Sequence, residues 1–306
     1  MCRLIKIYLL NKDSLKVPPP LKLIRPHQYL KNGFVFIGPL FAHQWDLFTL
    51  YESIAAFFAF CAMASAVYIL NDLIDIETDR AHPKKCKRPI ASREVSPRHA
   101  KILLVVLFLT SIGLSISVSV YVVACTAGYF CINIFYSLSL KHIVILDVFL
   151  ISAGFMLRIL AGTLGLGITP SAWLLLCGLM LTLFIGFSKR HAELLMLKGR
   201  NKQDQGLTRR VLDDYSPIIL EQYIAITAAG TILSYGLYTV SPKTIQLHNT
   251  ENLIITLPFV IYGIFRYIFL LHRRSRGNDT AKDLLQDPHL LVTVILWFAC
   301  TLWILQ

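Results

Sequence analysis

The residues best suited to chemistry lie in one short acidic segment. Asp72, Asp75 and Asp79 are spaced so that a helix would place their carboxylates on one face, with the amide of Asn71 beside them. Carboxylates this close repel one another, so the arrangement needs a cation. Mg²⁺ binds carboxylate and amide oxygens and keeps coordination positions for water and phosphate oxygens. The spacing therefore predicts a magnesium site that accepts a phosphate-bearing ligand.

A basic segment follows directly and would bind the phosphate oxygens that the metal leaves uncovered. Its cations are Arg80, Lys84, Lys85, Lys87 and Arg88. Guanidinium and ammonium groups donate charge-assisted hydrogen bonds to phosphate, so the two segments together predict a diphosphate site. The alternative interpretation is an acidic helix end that nearby lysines neutralise.

The elements that position these residues are predicted to be transmembrane helices. Of the 306 residues, 55% are hydrophobic and 16% are charged, which is too apolar for a soluble domain of this size. Repeated apolar runs of about 18 residues or more indicate an all-α, polytopic membrane helical bundle with about nine transmembrane helices. The predicted spans are 33–43, 50–72, 99–116, 119–139, 144–166, 170–188, 217–239, 251–271 and 287–305. We predict that residues 1–32 are a basic cytosolic N-terminal arm and that residues 33–306 form a single transmembrane catalytic domain.

The distribution of charge predicts the orientation in the membrane. Nearly all of the 30 Lys and Arg residues fall in the arm or in segments at one set of helix ends, and Lys243 is the exception on the opposite side. The positive-inside rule places the basic segments and the N-terminus in the cytosol. We expect an integral protein of the cytoplasmic (inner) membrane, with membrane lipids as partners and its active site facing the cytosol. The net charge of +12 reflects this topology, and we expect no nucleic acid partner.

Two motifs resemble those of a known family. The pattern NDxxDxxxD over 71–79, followed by a basic segment and Arg88-Pro89, resembles the signature of the UbiA-type intramembrane prenyltransferases. A tyrosine followed five residues later by a lysine, at Tyr136 and Lys141, resembles a second element of that family. The resemblance implies a UbiA-like bundle of helices that binds a magnesium diphosphate at the cytosolic side.

One segment departs from the pattern of the aromatic prenyltransferases in this family. Those enzymes carry a second aspartate-rich motif after the sixth span, whereas this chain reads GFSKRHAEL, with Lys189 and Arg190 and with Glu193 as the one acid. This segment and YSLSLKHIVILDVFLISAGFMLRILAG resemble the branch of polyprenyl-phosphate phosphoribosyltransferases. That resemblance implies transfer of a 5-phosphoribosyl group from phosphoribosyl pyrophosphate to a decaprenyl-type polyprenyl phosphate, with release of diphosphate.

The expected roles follow from this reaction and from the charges. The predicted Mg²⁺ ligands are Asn71, Asp72, Asp75 and Asp79, and the cations expected on the leaving diphosphate are Arg80, Lys84 and Arg88. Lys141, Lys189 and Arg190 are expected to bind either the ribose 5-phosphate or the lipid phosphate. A lipid phosphate is already anionic near neutral pH, so no general base is required.

Four further residues have open alternatives. Tyr136 could donate a hydrogen bond to phosphate or anchor its helix at the interface. Asp147 could begin a helix or bind substrate, and Glu193 could orient the ribose, complete the metal shell or pair with Arg190. Arg158 lies deep in a span, where a charged residue is either functional or paired within the bundle.

Two other functions compete with phosphoribosyl transfer. The same fold could move a prenyl group from a prenyl diphosphate to an aromatic or other acceptor, but this requires the second aspartate motif. A non-catalytic protein that binds or transports lipid phosphates would explain the basic residues but not three carboxylates at metal spacing. A transporter would also more readily place ionisable groups at the bilayer midplane. Whether the chain forms a homo-oligomer stays open.

Overall fold

The computed structural model of the chain describes residues 18–44, 46–82, 85–198, 214–273, 283–284 and 286–305. Helices are the regular secondary structure of this part of the chain, which confirms the all-α prediction. The α-helices are α1 (Pro19–Ile24), α2 (Ile37–Ala42), α3 (Leu47–Ile74), α4 (Ile76–Ala81), α5 (Pro97–Ile116), α6 (Val120–Leu138), α7 (Leu146–Ala161), α8 (Ala172–Lys198), α9 (Pro217–Thr239), α10 (Pro242–His248), α11 (Leu257–Arg273) and α12 (Pro288–Leu305). The 3₁₀ helices are Pro26–Phe36, Lys85–Lys87, Leu140–His142, Leu164–Leu166 and Asn252–Thr256.

Eight helical segments in the described ranges are long and apolar enough to cross a membrane. They are Leu47–Ile74, Pro97–Ile116, Val120–Leu138, Leu146–Leu166, Ala172–Met196, Pro217–Thr239, Asn252–His272 and Pro288–Leu305. These eight match the second to ninth predicted spans. The protein is therefore an integral membrane protein. The first of the nine predicted spans is not among these eight helices.

The segment predicted as the first span crosses the bundle without forming one long α-helix. It consists of the 3₁₀ helix Pro26–Phe36 followed by α2. At its start, Arg25 donates hydrogen bonds to Asp72 near the C-terminal end of α3. At its end, the ring of Phe41 packs against Tyr238 near the opposite end of the bundle. Because a 3₁₀ helix rises about 2.0 Å per residue rather than 1.5 Å, the two helices together extend over roughly 30 Å, about the thickness of the hydrocarbon core.

Helix α3 is the central element and carries the acidic segment at its C-terminal end. The carboxylate of Asp46 caps its start by accepting hydrogen bonds from the backbone N–H groups of Phe48 and Thr49. Its middle is rich in buried small residues, which let neighbouring helices approach closely. A helix of 28 residues is about 42 Å long, which exceeds the hydrocarbon core of about 30 Å. The last turns of α3 therefore reach the membrane interface, where charged side chains are tolerated.

Two glycines, Gly38 and Gly162, let the backbone of the first crossing segment pack directly against the end of α7. A methyl group at Gly162 would lie 1.8 Å from the carbonyl oxygen of Val35, and one at Gly38 would lie 1.8 Å from the carbonyl oxygen of Gly162. Only residues without a Cβ allow this approach.

Gly162→Ala is expected to lower the free energy of unfolding by about 2 kcal/mol or more, because the backbone of the crossing segment must shift. Thermal unfolding of the purified protein in detergent measures the effect. Gly33→Ala is the matched control, since its added methyl group meets no atom within 4 Å. Equal unfolding temperatures for the two variants would contradict the close packing.

Candidate active site

The acidic segment 71–79 spans a break between α3 and α4. Helix α3 ends at Ile74, Asp75 leaves helical geometry with φ −92° and ψ 14°, and α4 begins at Ile76. Helix-type hydrogen bonds nevertheless continue through the break, because the N–H of Asp75 donates to the carbonyl oxygen of Asn71 and the N–H of Asp79 donates to that of Asp75. The helical register that places the three aspartates on one face is therefore kept across the break.

Two of the three carboxylates are buried and converge on one guanidinium group. Asp72 and Asp79 are each 2% exposed. Nη1 of Arg88 lies 2.9 Å from Oδ1 of Asp72 and 2.7 Å from Oδ2 of Asp79. Nη2 of Arg25 donates to both carboxylate oxygens of Asp72, at 2.6 and 2.9 Å. Lys85 adds a weaker contact, with its Nζ 4.0 Å from Oδ1 of Asp79.

The third carboxylate and the amide are more accessible. The Asp75 side chain is 34% exposed, and its Oδ1 lies 3.8 Å from Nζ of Lys141. The hydroxyl of Ser137 donates to Oδ1 of Asn71 at 2.5 Å, which leaves that carbonyl oxygen a second lone pair. Asp75 is thus the carboxylate best placed to meet a ligand from solvent.

This donor set fits Mg²⁺. Its atoms are hard oxygens from three carboxylates and one amide, and the carboxylates already gather positive groups around them. Burial raises the pKa of the Asp79 carboxyl above its ordinary value, although the guanidinium of Arg88 opposes that effect. A buried carboxylate of this kind needs a cationic partner to stay ionised. The residues that could hold the ion are Asn71, Asp72, Asp75 and Asp79.

A second polar group surrounds Arg190 on α8, which is completely buried. Its Nε donates to Oδ2 of Asp147 at 2.6 Å, and its Nη2 donates to the hydroxyl of Tyr136 at 3.1 Å. Its Nη1 donates to Oε2 of Glu193, so the pair with Arg190, one of the alternatives for Glu193, is present in this structure. All three guanidinium nitrogens therefore have protein partners.

Asp147 holds Arg190 from the start of α7 and is itself fully buried. The hydroxyl of Tyr215 donates to its Oδ1 at 2.9 Å and accepts a hydrogen bond from the N–H of Ile145 at 2.7 Å. Burial raises the pKa of Tyr215 well above its usual range, so the hydroxyl keeps its proton and remains a donor. Asp147 lies in the first turn of its helix, and its contacts orient Arg190.

The C-terminal end of α6 joins the acidic group to the Arg190 group. Tyr136 and Ser137 are consecutive, and Tyr136 contacts Arg190 while Ser137 contacts Asn71. Lys141, just beyond α6, lies beside Asp75. The aspartate motif and the Tyr136–Lys141 element therefore meet at one end of the bundle.

The sequence also predicted roles for Arg80, Lys189 and Lys84. Arg80 is exposed, forms an ion pair with Glu77 at 2.8 Å and donates to the carbonyl oxygen of Ala91. Lys189 is half-buried on α8, directly before Arg190. Lys84 lies outside the described residues.

Arg158 is paired within the bundle. Its Nε donates to Oδ1 of Asn32 at 2.7 Å and its Nη1 donates to the carbonyl oxygen of Gly154 at 2.6 Å. The rings of Tyr129 and Phe60 lie 4.5 and 5.3 Å from the guanidinium carbon, at cation–π distance. Of the two alternatives for this deep arginine, the structure supports pairing with its neighbours.

Sequence reasoning missed three residues of the site: Arg25, Ser137 and Tyr215. Arg25 belongs to the predicted arm, and nothing in its local sequence indicates contact with Asp72, 47 positions away. A left-handed backbone at Arg25, with φ 53°, turns the chain from α1 into the 3₁₀ helix. Ser137 could have been suspected, since it follows Tyr136 directly in a segment already chosen.

Comparison with known proteins shows which family the chain resembles. The model of the UbiA prenyltransferase family matches residues 33–286. Decaprenyl-phosphate phosphoribosyltransferase of Corynebacterium glutamicum is 33% identical over 94% of this chain and 89% of its own length. The enzyme of the same name from Mycolicibacterium smegmatis is 33% identical over 90% of this chain and 89% of its own length.

Solved structures with the same fold are more distant in sequence. A UbiA homologue from Archaeoglobus fulgidus bound to GPP and Mg²⁺ superposes with a TM-score of 0.71 at 16% identity, over 94% of this chain and 99% of the homologue. A digeranylgeranylglyceryl phosphate synthase gives a TM-score of 0.64 at 18% identity, over 94% of this chain and 97% of its own. The UbiA-like fold is therefore confirmed. Sequence and fold agree that this membrane-embedded transferase belongs to the UbiA prenyltransferase family.

Proposed function

We propose that the protein transfers a 5-phosphoribosyl group from phosphoribosyl pyrophosphate to a decaprenyl-type polyprenyl phosphate and releases diphosphate. This proposal rests on two polar groups that flank the C-terminal end of α6: the aspartate group, through Asn71, and the group around Arg190. One group offers carboxylates for a metal-bound diphosphate, and the other is built around Arg190 where a second set of aspartates would serve a second metal. A donor with a diphosphate at one end and a phosphate at the other matches two such groups. The names of the similar enzymes from C. glutamicum and M. smegmatis support the same reaction.

On the leaving-group side, Asn71, Asp72, Asp75 and Asp79 would hold Mg²⁺. When bound there, the ion neutralises charge that grows on the leaving diphosphate. Arg88 and Arg25, which neutralise Asp72 in this state, are well placed to turn toward the diphosphate oxygens. Arg80 and Lys84 belong to the same basic segment and would bind the outer oxygens.

At the Arg190 group, the cations that would bind the ribose 5-phosphate or the lipid phosphate are Lys141, Lys189 and Arg190. Arg190 has a protein partner on every nitrogen, so it reaches phosphate by exchanging Tyr136 or Glu193 for a phosphate oxygen. Asp147 stays on Nε and fixes the direction of the guanidinium plane. The released Tyr136 hydroxyl or Glu193 carboxylate can then contact the phosphate or a ribose hydroxyl.

The transfer itself is a substitution at C1 of the ribose. The bond from C1 to the diphosphate oxygen breaks as a bond from C1 to an oxygen of the lipid phosphate forms. The lipid phosphate is already an anion, so no residue of the chain has to remove a proton. The polyprenyl chain would lie along the apolar outer faces of the helices.

We also propose that the site faces the cytosol from the cytoplasmic membrane. The acidic group, the Arg190 group and the basic segments share one end of the bundle, and basic ends of membrane helices stay in the cytosol. In this view residues 33–306 act as one catalytic domain, which also includes residues 26–32 because the 3₁₀ helix Pro26–Phe36 lies within the bundle. The basic arm then ends at Arg25, which docks it on Asp72.

The test is transfer of label from radiolabelled phosphoribosyl pyrophosphate into lipid by the purified protein with decaprenyl phosphate and Mg²⁺. We expect label in the organic phase, its loss with a chelator, and its retention in Glu77→Gln, which changes an exposed acid of the same segment. If only a prenyl diphosphate with an aromatic acceptor is turned over, the proposed donor is wrong. If neither donor is turned over, the result would favour a non-catalytic lipid-phosphate binding protein.

A further inference from the structure

A cluster of two histidines and one glutamate joins three helices outside the site described above. His191 lies on α8, Glu221 on α9 and His272 on α11, and one ligand atom from each lies within 4.8 Å of the others. Nε2 of His191 is 3.4 Å from Oε1 of Glu221, and Nε2 of His272 is 3.8 Å from the same oxygen. Although His191 follows Arg190 in sequence, it faces α9 and α11 rather than Asp147 and Tyr136.

The hydrogen bonds leave both Nε2 atoms available as ligands. Nδ1 of His272 lies 2.9 Å from the carbonyl oxygen of Ile268, and since a carbonyl only accepts, Nδ1 must carry the hydrogen. In the neutral ring Nε2 then has the lone pair, and a backbone carbonyl on the far nitrogen is the usual support of a metal-bound histidine.

His191 supplies an independent observation. Its side chain is 1% exposed, and neither ring nitrogen makes a hydrogen bond. The 3.4 Å contact of Nε2 with Glu221 is an ion pair only when the ring is protonated, so the neutral ring has no hydrogen-bond partner among the described residues. A buried polar group without a partner is costly and is rare in folded proteins. A cation bound by Nε2 would supply the missing partner.

We propose that His191, Glu221 and His272 bind a divalent transition metal ion, with Zn²⁺ as the best fit. Two imidazole nitrogens and one carboxylate oxygen, with a position left for water, are a ligand set that Zn²⁺ accepts, whereas Mg²⁺ prefers oxygen. Ligand atoms of a tetrahedral zinc site are separated by roughly 3.3 Å, so the observed 3.4 and 3.8 Å to Glu221 need only a small contraction. The two histidine ligand atoms, which lie within 4.8 Å of each other, would have to approach by about 1.5 Å at most. The side chains of Glu221 and His272 are 50% and 44% exposed, which gives the ion a path from solvent. The bound ion would tie the ends of α8, α9 and α11 together beside Arg190.

The test uses Co²⁺ as a spectroscopic stand-in for Zn²⁺ on the full chain, purified in detergent with a tag that contains no histidine. Excess Mg²⁺ is present throughout so that the aspartate group is not titrated. We expect the visible absorption of four-coordinate Co²⁺ at one ion per chain, its loss on addition of Zn²⁺, and a higher unfolding temperature with Zn²⁺. His272→Ala and Glu221→Gln should weaken binding at least tenfold, and both change exposed side chains that leave the fold intact.

Two controls make the result specific. His289→Ala removes another exposed histidine of the same half of the bundle, and Asp75→Asn alters the aspartate group; both should bind Co²⁺ as the parent chain does. The proposal is overturned if the parent chain binds less than half an equivalent, or if His272→Ala and Glu221→Gln bind as tightly as the parent. Neither result depends on the reaction proposed above, because the measurement is metal binding rather than transfer.

Discussion

Asp75→Asn is expected to lower the rate of transfer by about 10³-fold, because in the proposed mechanism it removes a carboxylate that would hold the metal on the leaving diphosphate. The fold should be unaffected. The Asp75 side chain is 34% exposed, and its ion pair with Lys141 is 3.8 Å long. Long, solvent-accessible ion pairs of this kind contribute little to stability. The measurements are initial rates of label transfer at saturating Mg²⁺ and thermal unfolding of the same preparations.

Asp72→Asn separates the effect on the transfer rate from the effect on stability. Asp72 is 2% exposed and accepts hydrogen bonds from both Arg25 and Arg88, so its neutralisation leaves two cations with too few partners. This variant should lose activity and also about 2 kcal/mol of unfolding free energy. The parent rate in Asp75→Asn, or an equal loss of stability in the two variants, would contradict the assignment of Asp75 as the accessible ligand.

Asp147→Asn is expected to lower the free energy of unfolding by about 3 kcal/mol, the largest stability effect we expect from a single isosteric change. Arg190 is completely buried, and Asp147 is the partner that holds its Nε at 2.6 Å. Without that carboxylate, Glu193 is the acid left on the buried Arg190 charge among the described residues. Thermal or denaturant unfolding in detergent measures the loss.

A graded series controls this prediction. Tyr215→Phe keeps the ion pair but removes the hydrogen bond to Asp147 and the one that the hydroxyl accepts from the N–H of Ile145, so it should cost about 2 kcal/mol. Glu77→Gln breaks an ion pair whose carboxylate is 83% exposed and should leave the unfolding temperature close to that of the parent. If Asp147→Asn unfolds like Glu77→Gln, the Arg190 charge is balanced by other groups and the buried network is not what holds α7 to α8.

The sequence alone was sufficient for features that repeat at short range. Helical apolar runs predict spanning helices because each run must satisfy its backbone internally in lipid, and eight of the predicted spans were found at these positions. The spacing of Asp72, Asp75 and Asp79 predicts one shared face because helix geometry repeats every 3.6 residues, and helix-type hydrogen bonds continue through the break at Asp75.

Contacts between distant segments were decided only by the tertiary structure. Arg25 reaches Asp72, and Tyr215 reaches Asp147, because helix packing brings together residues that are 47 and 68 positions apart. The sequence also did not predict which basic residue is buried. Lys189 and Arg190 are adjacent, yet Arg190 is completely buried in an ionic network and Lys189 is half-buried. The cluster of His191, Glu221 and His272 likewise exists only where three helices meet. Local spacing determines which face of a helix a side chain occupies, whereas packing determines what that face meets and how much water remains there.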